Sequence, residues 1–99
     1  MGTRLSPKDE ELYRRVDEVL HYVWDPIGIS GEPKARDEYH SYLPRVFALL
    51  KENSSPEHIA QYLRAVVTEQ MGLPETAEHA LEVAALLHEW KQAIDETYA

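Results

Sequence analysis

Apolar residues recur along most of this chain at three- and four-residue steps, the spacing that lines one face of an α-helix. Leu12, Val16, Val19, Leu20 and Val23 make the first such stripe. Before it, Ser6 can cap free backbone N–H groups, Pro7 suits the first helical position, and Asp9 and Glu10 favour the opening turn. The pattern predicts a helix over 7–23, ended by Asp25-Pro26. The residue before a proline is pushed out of the helical region and Gly28 and Gly31 permit positive φ, so an ordered loop is expected over 25–34.

A second helix is expected over 37–53, with Tyr39, Tyr42, Leu43, Val46, Phe47 and Leu50 facing the core. Pro44 would remove a hydrogen bond inside it and clash with the carbonyl of His40. The expectation is a continuous helix kinked there, the alternative a regular helix beginning near Ser41. Ser55-Pro56-Glu57 repeats the Ser-Pro start and opens a third helix over 56–71, carrying Ile59, Tyr62, Leu63, Val66, Val67 and Met71. Gly72-Leu73-Pro74 stops it, since glycine suits the left-handed position after a last turn and proline prevents resumption. The fourth helix is placed at 76–98 with a stripe of Ala77, Ala80, Leu81, Ala84, Leu87, Trp90 and Ile94. The fold class is therefore all-α, a compact bundle of four helices in a single domain spanning residues 1–99, with residues 1–5 expected to be flexible.

Composition narrows the classes of function. Without cysteine there is no disulfide scaffold, thiolate metal site or cysteine nucleophile. No stretch approaches the roughly 20 apolar residues that cross a bilayer, and the first residues lack the apolar segment of a signal peptide, so a cytoplasmic protein is expected. Eighteen acidic residues against ten basic ones give a net charge of −8, which repels phosphate backbones and anionic lipid and argues against nucleic-acid or membrane partners. The charge is concentrated. After Arg64 come Glu69, Glu75, Glu78, Glu82, Glu89, Asp95 and Glu96, with Lys91 as the only base. On the fourth helix Glu75, Glu78, Glu82 and Glu89, continued by Gln92 and Glu96, lie opposite the apolar stripe. They are either a solvated face or a surface that steers a basic partner.

Trp24, Asp25, Pro26 and Ile27, with Ile29, form the segment that periodicity does not explain, followed by Tyr39 and Tyr42. One reading makes this an apolar knob for a partner, since loops carry binding residues and tryptophan and tyrosine dominate interface energetics. The other has Trp24 close one end of the bundle, which a small domain's need for large core aromatics favours. Asp25, Asp37 and Glu38 then serve as caps.

Glu18-x-x-His21 and Asp37-x-x-His40 each place a carboxylate and an imidazole on one helical face, half of a di-metal bundle site. The inward positions supply no further acid, so no metal and no cofactor is assigned. Glu75, His79, Glu82 and His88 read as solvated pairs. No nucleophile elbow, phosphate-cradling glycine loop or zinc-protease signature occurs, and no catalytic residue is assigned.

Trp24-Asp25-Pro26-Ile27-Gly28, followed by Asp37-Glu38-Tyr39, Tyr42, Leu49-Leu50 and Met71-Gly72-Leu73, resembles small bacterial helical domains of unknown function that share a Trp-Asp-Pro-Ile-Gly loop and a Glu-Tyr helix start. The resemblance spans about residues 12–90. It implies a bacterial origin and a helical fold, and no activity. Colicin-nuclease immunity proteins are similar in size, acidity and helical class, but their paired-tyrosine and proline signature is missing here. The leading expectation is a non-enzymatic interaction protein with a protein partner, a basic one that it inhibits. The alternatives are a small enzyme or metal-dependent protein using His21, His40 and neighbouring carboxylates, and an obligate homodimer that buries Tyr13, Tyr22 or Trp90 by self-association.

Overall fold

The computed structural model describes residues 5–74 and 77–98. Among them the chain forms four α-helices and no strand: α1 (Pro7–Val19), α2 (Leu43–Lys51), α3 (Pro56–Ala65) and α4 (Ala77–Thr97). A π-helical turn prolongs α1 over Leu20–Trp24 and another prolongs α3 over Val66–Gln70. The candidate residue Glu75, the expected start of the fourth helix at Thr76 and most of the segment expected to be flexible lie outside the described residues.

Both Ser-Pro starts work as helix caps. The Ser6 hydroxyl accepts from Asp9 N–H and the Ser55 hydroxyl from His58 N–H, each at 3.1 Å, with the proline at the opening of the helix. Gly72 takes the left-handed conformation at φ +66°, and Leu73 N–H folds back to the Val67 carbonyl at 2.9 Å.

The second helix departs from expectation. It neither starts at Asp37 nor kinks at Pro44; it begins at Leu43, with Pro44 in its first turn. Upstream, a 3-10 turn over Pro33–Ala35 leads into a run of tight turns, in which His40, Tyr42 and Leu43 each donate N–H to the carbonyl three residues back. Pro44 is the cause. A regular helix through this segment would press its ring against the His40 carbonyl and forgo a hydrogen bond, a loss of about 3 kcal/mol, whereas the first turn needs no such bond.

α4 is the spine of the bundle, packing most extensively on α3 and next on α1, while α2 leans mainly on α1. The core draws Leu12, Val16, Val19 and Leu20 from the first helix, Leu43, Val46, Leu49 and Leu50 from the second, and Ile59, Leu63, Val66 and Val67 from the third. α4 contributes Ala80, Val83, Ala84, Leu87 and Ile94. Three assignments of face are corrected, the first being Ala77, which was expected inside and is exposed. Leu81, expected inside, is 45% exposed, and Val83 takes its place. Val23, expected in the stripe of the first helix, is 42% exposed while Trp24 is only 2% exposed. The π-helical turn is responsible: Asp25 N–H bonds the Leu20 carbonyl at 3.1 Å, five residues back, so the wider turn brings Trp24 round to the core and leaves Tyr22 and Val23 outside.

Candidate functional site

The two segments singled out by sequence behave differently. At the end of the first helix Asp25 adopts a left-handed conformation, φ 33° and ψ 59°, which aspartate tolerates better than most residues. Its carboxylate then turns back on the loop. Oδ1 accepts from Ile29 N–H and from the Tyr39 hydroxyl, both at 2.8 Å, and Oδ2 accepts from Ser30 N–H at 3.1 Å. The Tyr39 oxygen in turn accepts from Ile27 N–H at 3.2 Å. Gly28 N–H closes a turn onto the Asp25 carbonyl at 3.2 Å, and Gly28 supplies the positive φ, +68°, at the turn's end.

Beneath this clasp Trp24 packs against the rings of Tyr39, 5.4 Å between centroids, and Tyr42, 6.0 Å and edge-on. From the far side of the bundle His79 on α4 donates Nε2–H to the carbonyls of Val23 and Trp24, both at 3.0 Å, satisfying the end of the first helix. His79 thus caps a helix end as well as lying 3.9 Å from Glu82. Burial alone would raise the carboxyl pKa of Asp25, but the hydrogen bonds from Ile29, Tyr39 and Ser30 prevail and hold it below the ordinary 3.8. Burial pushes the Tyr39 hydroxyl the other way, and the Asp25 carboxylate beside it adds to the rise.

The sequence placed Trp24, Asp25, Pro26, Ile27, Tyr39 and Tyr42 together as partner-binding candidates, and the structure does bring them together, with most of their distinctive groups packed or bonded within the loop. Trp24 and Tyr39 are buried, Tyr42 half-buried, and the Asp25 carboxylate is occupied by the loop's own donors. Of the six only Ile27 is well exposed. The choice left open for Trp24 falls to the core. Among the expected caps, Asp25 fulfils the role, whereas Asp37 and Glu38 stand exposed.

The histidines face different surroundings. His21 is buried edge-on against Tyr22, its Nδ1 without a hydrogen-bond partner among the described residues, whereas His40 is exposed and its Nε2 lies 3.0 Å from Asp17 Oδ1. Arg36 clamps the same carboxylate with two N–H groups, at 3.0 and 2.9 Å, tying the loop to α1. Burial opposes ionisation of Asp17, but Arg36 and His40 outweigh it and lower its pKa. Glu18, the expected companion of His21, is bonded to Arg15 at 2.9 Å. Among the described residues no three His, Asp or Glu side chains gather in a way that would hold a metal ion.

On α4, Glu78, Glu82 and Glu89 are exposed, as are Gln92 and Glu96. Apart from the long contact of Glu82 to His79, none of these acids has a hydrogen-bond or ion-pair partner among the described residues. α1 contrasts with this: Asp9 meets Lys51, Glu11 and Glu18 meet Arg15, and Asp17 meets Arg36.

Sequence reasoning missed what borders the acidic row. Tyr22 (57% exposed) and Val23 from the first helix, with Leu86 and Trp90 from α4, line an open groove of about 260 Å³. Leu86 and Trp90 also line, with Glu89 and Ala93, an adjoining depression of about 270 Å³. The signals for it were Tyr22 and Trp90, considered as aromatics for self-association, and the apolar Leu86 off the main stripe. Trp90 is half-buried, one face covered by the Arg15 guanidinium 4.9 Å from the ring centroid. Tyr13, another aromatic considered for self-association, is instead packed edge-on against Phe47 at 5.1 Å. No helix among the described residues is long and apolar enough to cross a membrane. No protein-family model matches the chain, and neither a curated protein nor a solved structure matches it significantly.

Proposed function

We propose that this chain is a cytoplasmic bacterial interaction module that binds a basic protein, in the manner of a stoichiometric inhibitor or immunity protein, with the exposed face of α4 as its recognition surface. The supporting observation is the row Glu78, Glu82, Glu89 and Glu96, exposed and, apart from the 3.9 Å contact of Glu82 to His79, without an ion-pair partner among the described residues, on a helix whose other face is fixed in the core. Uncompensated acids on a rigid helix present a negative potential to an approaching cationic surface, raising association rate and rejecting acidic competitors. Bacterial origin and cytoplasmic location rest on the resemblance of the Trp24 loop and on the apolar content of the chain.

The test is capture of tagged protein from nuclease-treated lysate of the source cells, beside a variant with Glu78, Glu82 and Glu89 changed to glutamine. The expected result is a basic protein retained in stoichiometric amount by the wild type, lost with the variant and weakened as salt is raised. A partner retained equally by both, or an acidic partner, contradicts the proposal.

A further inference from the structure

The acidic row does not stand on an otherwise polar surface. Along α4, Glu82, Leu86, Glu89, Ala93 and Glu96 follow one another at three- and four-residue steps and Trp90 lies four residues beyond Leu86, so an apolar strip of Leu86, Trp90 and Ala93 runs beside the acids on the flank that turns toward α1. The groove described above lies along that flank, and its far wall is Tyr22 and Val23, which the π-helical turn has rotated outward. Without that turn Val23 belongs to the core stripe and the wall is missing.

The volumes decide what kind of occupant fits. Depressions of about 260 and 270 Å³, open to solvent, fall below the roughly 300 Å³ at which small-molecule sites begin and do not enclose a ligand. Two adjoining shallow depressions sharing Leu86 and Trp90 suit successive side chains from one face of a helix, the arrangement in which i, i+3, i+4 and i+7 residues act as anchors.

Charge decides its sign. The cations nearest the groove are already neutralised: Arg15 by Glu18 at 2.9 Å and Glu11 at 3.7 Å, and Arg36, which lies over the Tyr22 ring, by Asp17. The charge left over comes from Glu82, Glu89 and Glu96 and is negative. A second copy of this chain meets the same surface poorly, since a two-fold interface sets each acidic row beside its own image in a molecule already carrying −8.

We infer that the groove between α1 and α4 seats an amphipathic helix of a basic protein, its apolar face against Tyr22, Val23, Leu86 and Trp90 and its lysines and arginines along Glu82, Glu89 and Glu96. This deepens the proposed recognition of a basic partner and rests on it, but adds a location and an apolar component that the acidic face alone does not require.

The test uses three synthetic peptides titrated into the isotope-labelled full chain and followed by NMR. One is an 18-residue helix former with leucine at i, i+4, i+7 and i+11 and lysine on the remaining faces. The second keeps the leucines and replaces lysine by glutamate, and the third scrambles the first. The lysine amphipath is expected to shift the Trp90 indole N–H and the Leu86 and Val23 methyls, with both controls binding about tenfold more weakly or worse. Leu86→Gln should weaken the lysine amphipath by about tenfold, and Val23→Gln, at an exposed position that leaves the core untouched, by about threefold. Shifts confined to the Glu78–Glu89 amides, with Trp90, Leu86 and Val23 unmoved, overturn the groove while leaving the acidic face as the recognition surface. Absence of binding by the lysine amphipath overturns the groove as well, and the acidic face then stands or falls by lysate capture alone. Concentration-dependent shifts of Trp90 without peptide identify a second copy as the occupant and also overturn it.

Discussion

The Trp24–Tyr39 loop and the outer face of α4 are both unusual stretches, one aromatic and the other acidic, and they differ in where their polar groups point. In the loop every distinctive group is used internally: the Asp25 carboxylate by Ile29, Ser30 and Tyr39, the Tyr39 oxygen also by Ile27, and the carbonyls of Val23 and Trp24 by His79. On the outer face of α4, Glu78, Glu82, Glu89 and Glu96 meet no cation of comparable closeness among the described residues, whereas Asp95 on the same helix is held by Lys91 and Lys8. A polar group already satisfied inside the fold contributes to stability and has little left to offer a partner. One left unsatisfied at the surface adds little to stability, and its field remains available. The difference separates a device that builds the molecule from a surface available to another one.

Substitution should therefore split the two regions sharply. The largest effect is expected for Trp24→Ala, which empties a buried indole site beneath the loop. It should lower stability by about 3–5 kcal/mol, read from the midpoint of urea unfolding. Against a total of about 5–15 kcal/mol for a domain of this kind, that is enough to leave the variant marginal.

Asp25→Ala should follow at about 2–3 kcal/mol, because it strands two backbone N–H groups and the hydroxyl of the buried Tyr39. Asp25→Asn keeps an acceptor and tolerance of the left-handed backbone, so it should fold and report the charge alone. Since the folded protein holds the Asp25 pKa below its ordinary 3.8, the carboxylate stabilises the fold above that value and the contribution is lost as pH falls through the lowered one. The stability gap between wild type and Asp25→Asn should thus be constant from neutral pH to about pH 5 and close below about pH 4. Asp17 and Asp95, whose pKa values are also lowered, titrate equally in both proteins and cancel from the difference. A gap independent of pH would remove the carboxylate from the account of the loop.

The smallest effect on stability belongs to the acidic face. Glu78→Gln, Glu82→Gln and Glu89→Gln should each change unfolding free energy by no more than about 0.5 kcal/mol, as expected for exposed groups without partners. A loss of several kcal/mol from the three together would mean that the face supports the fold and would erase the comparison.

How much of this could be read in the chain follows the range of the interactions. Ser6-Pro7, Ser55-Pro56 and Gly72-Leu73 act within one turn of themselves, and they mark the helix ends where the structure has them. The acidic face was also legible, because helical periodicity alone fixes which side of α4 carries Glu78, Glu82 and Glu89. Pro44 was noticed, but its effect reaches back to Asp37 through the turns that replace the helix there. The exchange of Val23 for Trp24 depends on one five-residue hydrogen bond that leaves no mark in a three- and four-residue pattern. The clasp of Tyr39 on Asp25 and of Arg36 and His40 on Asp17 joins residues 14 to 23 positions apart, where only the fold shows the pairing. Asp25 was legible as a cap and Tyr39 as a core aromatic of an aperiodic segment, but the bond between them was not.

Amide hydrogen exchange on the chain with and without the protein it captures tests the central contrast most directly. The account predicts new protection on α4 between Glu82 and Ala93 and across Glu18–Val23, with Ile27–Gly31 unchanged. Protection concentrated on Ile27–Gly31, with α4 exchanging as before, would contradict it and return the loop to the role of binding site.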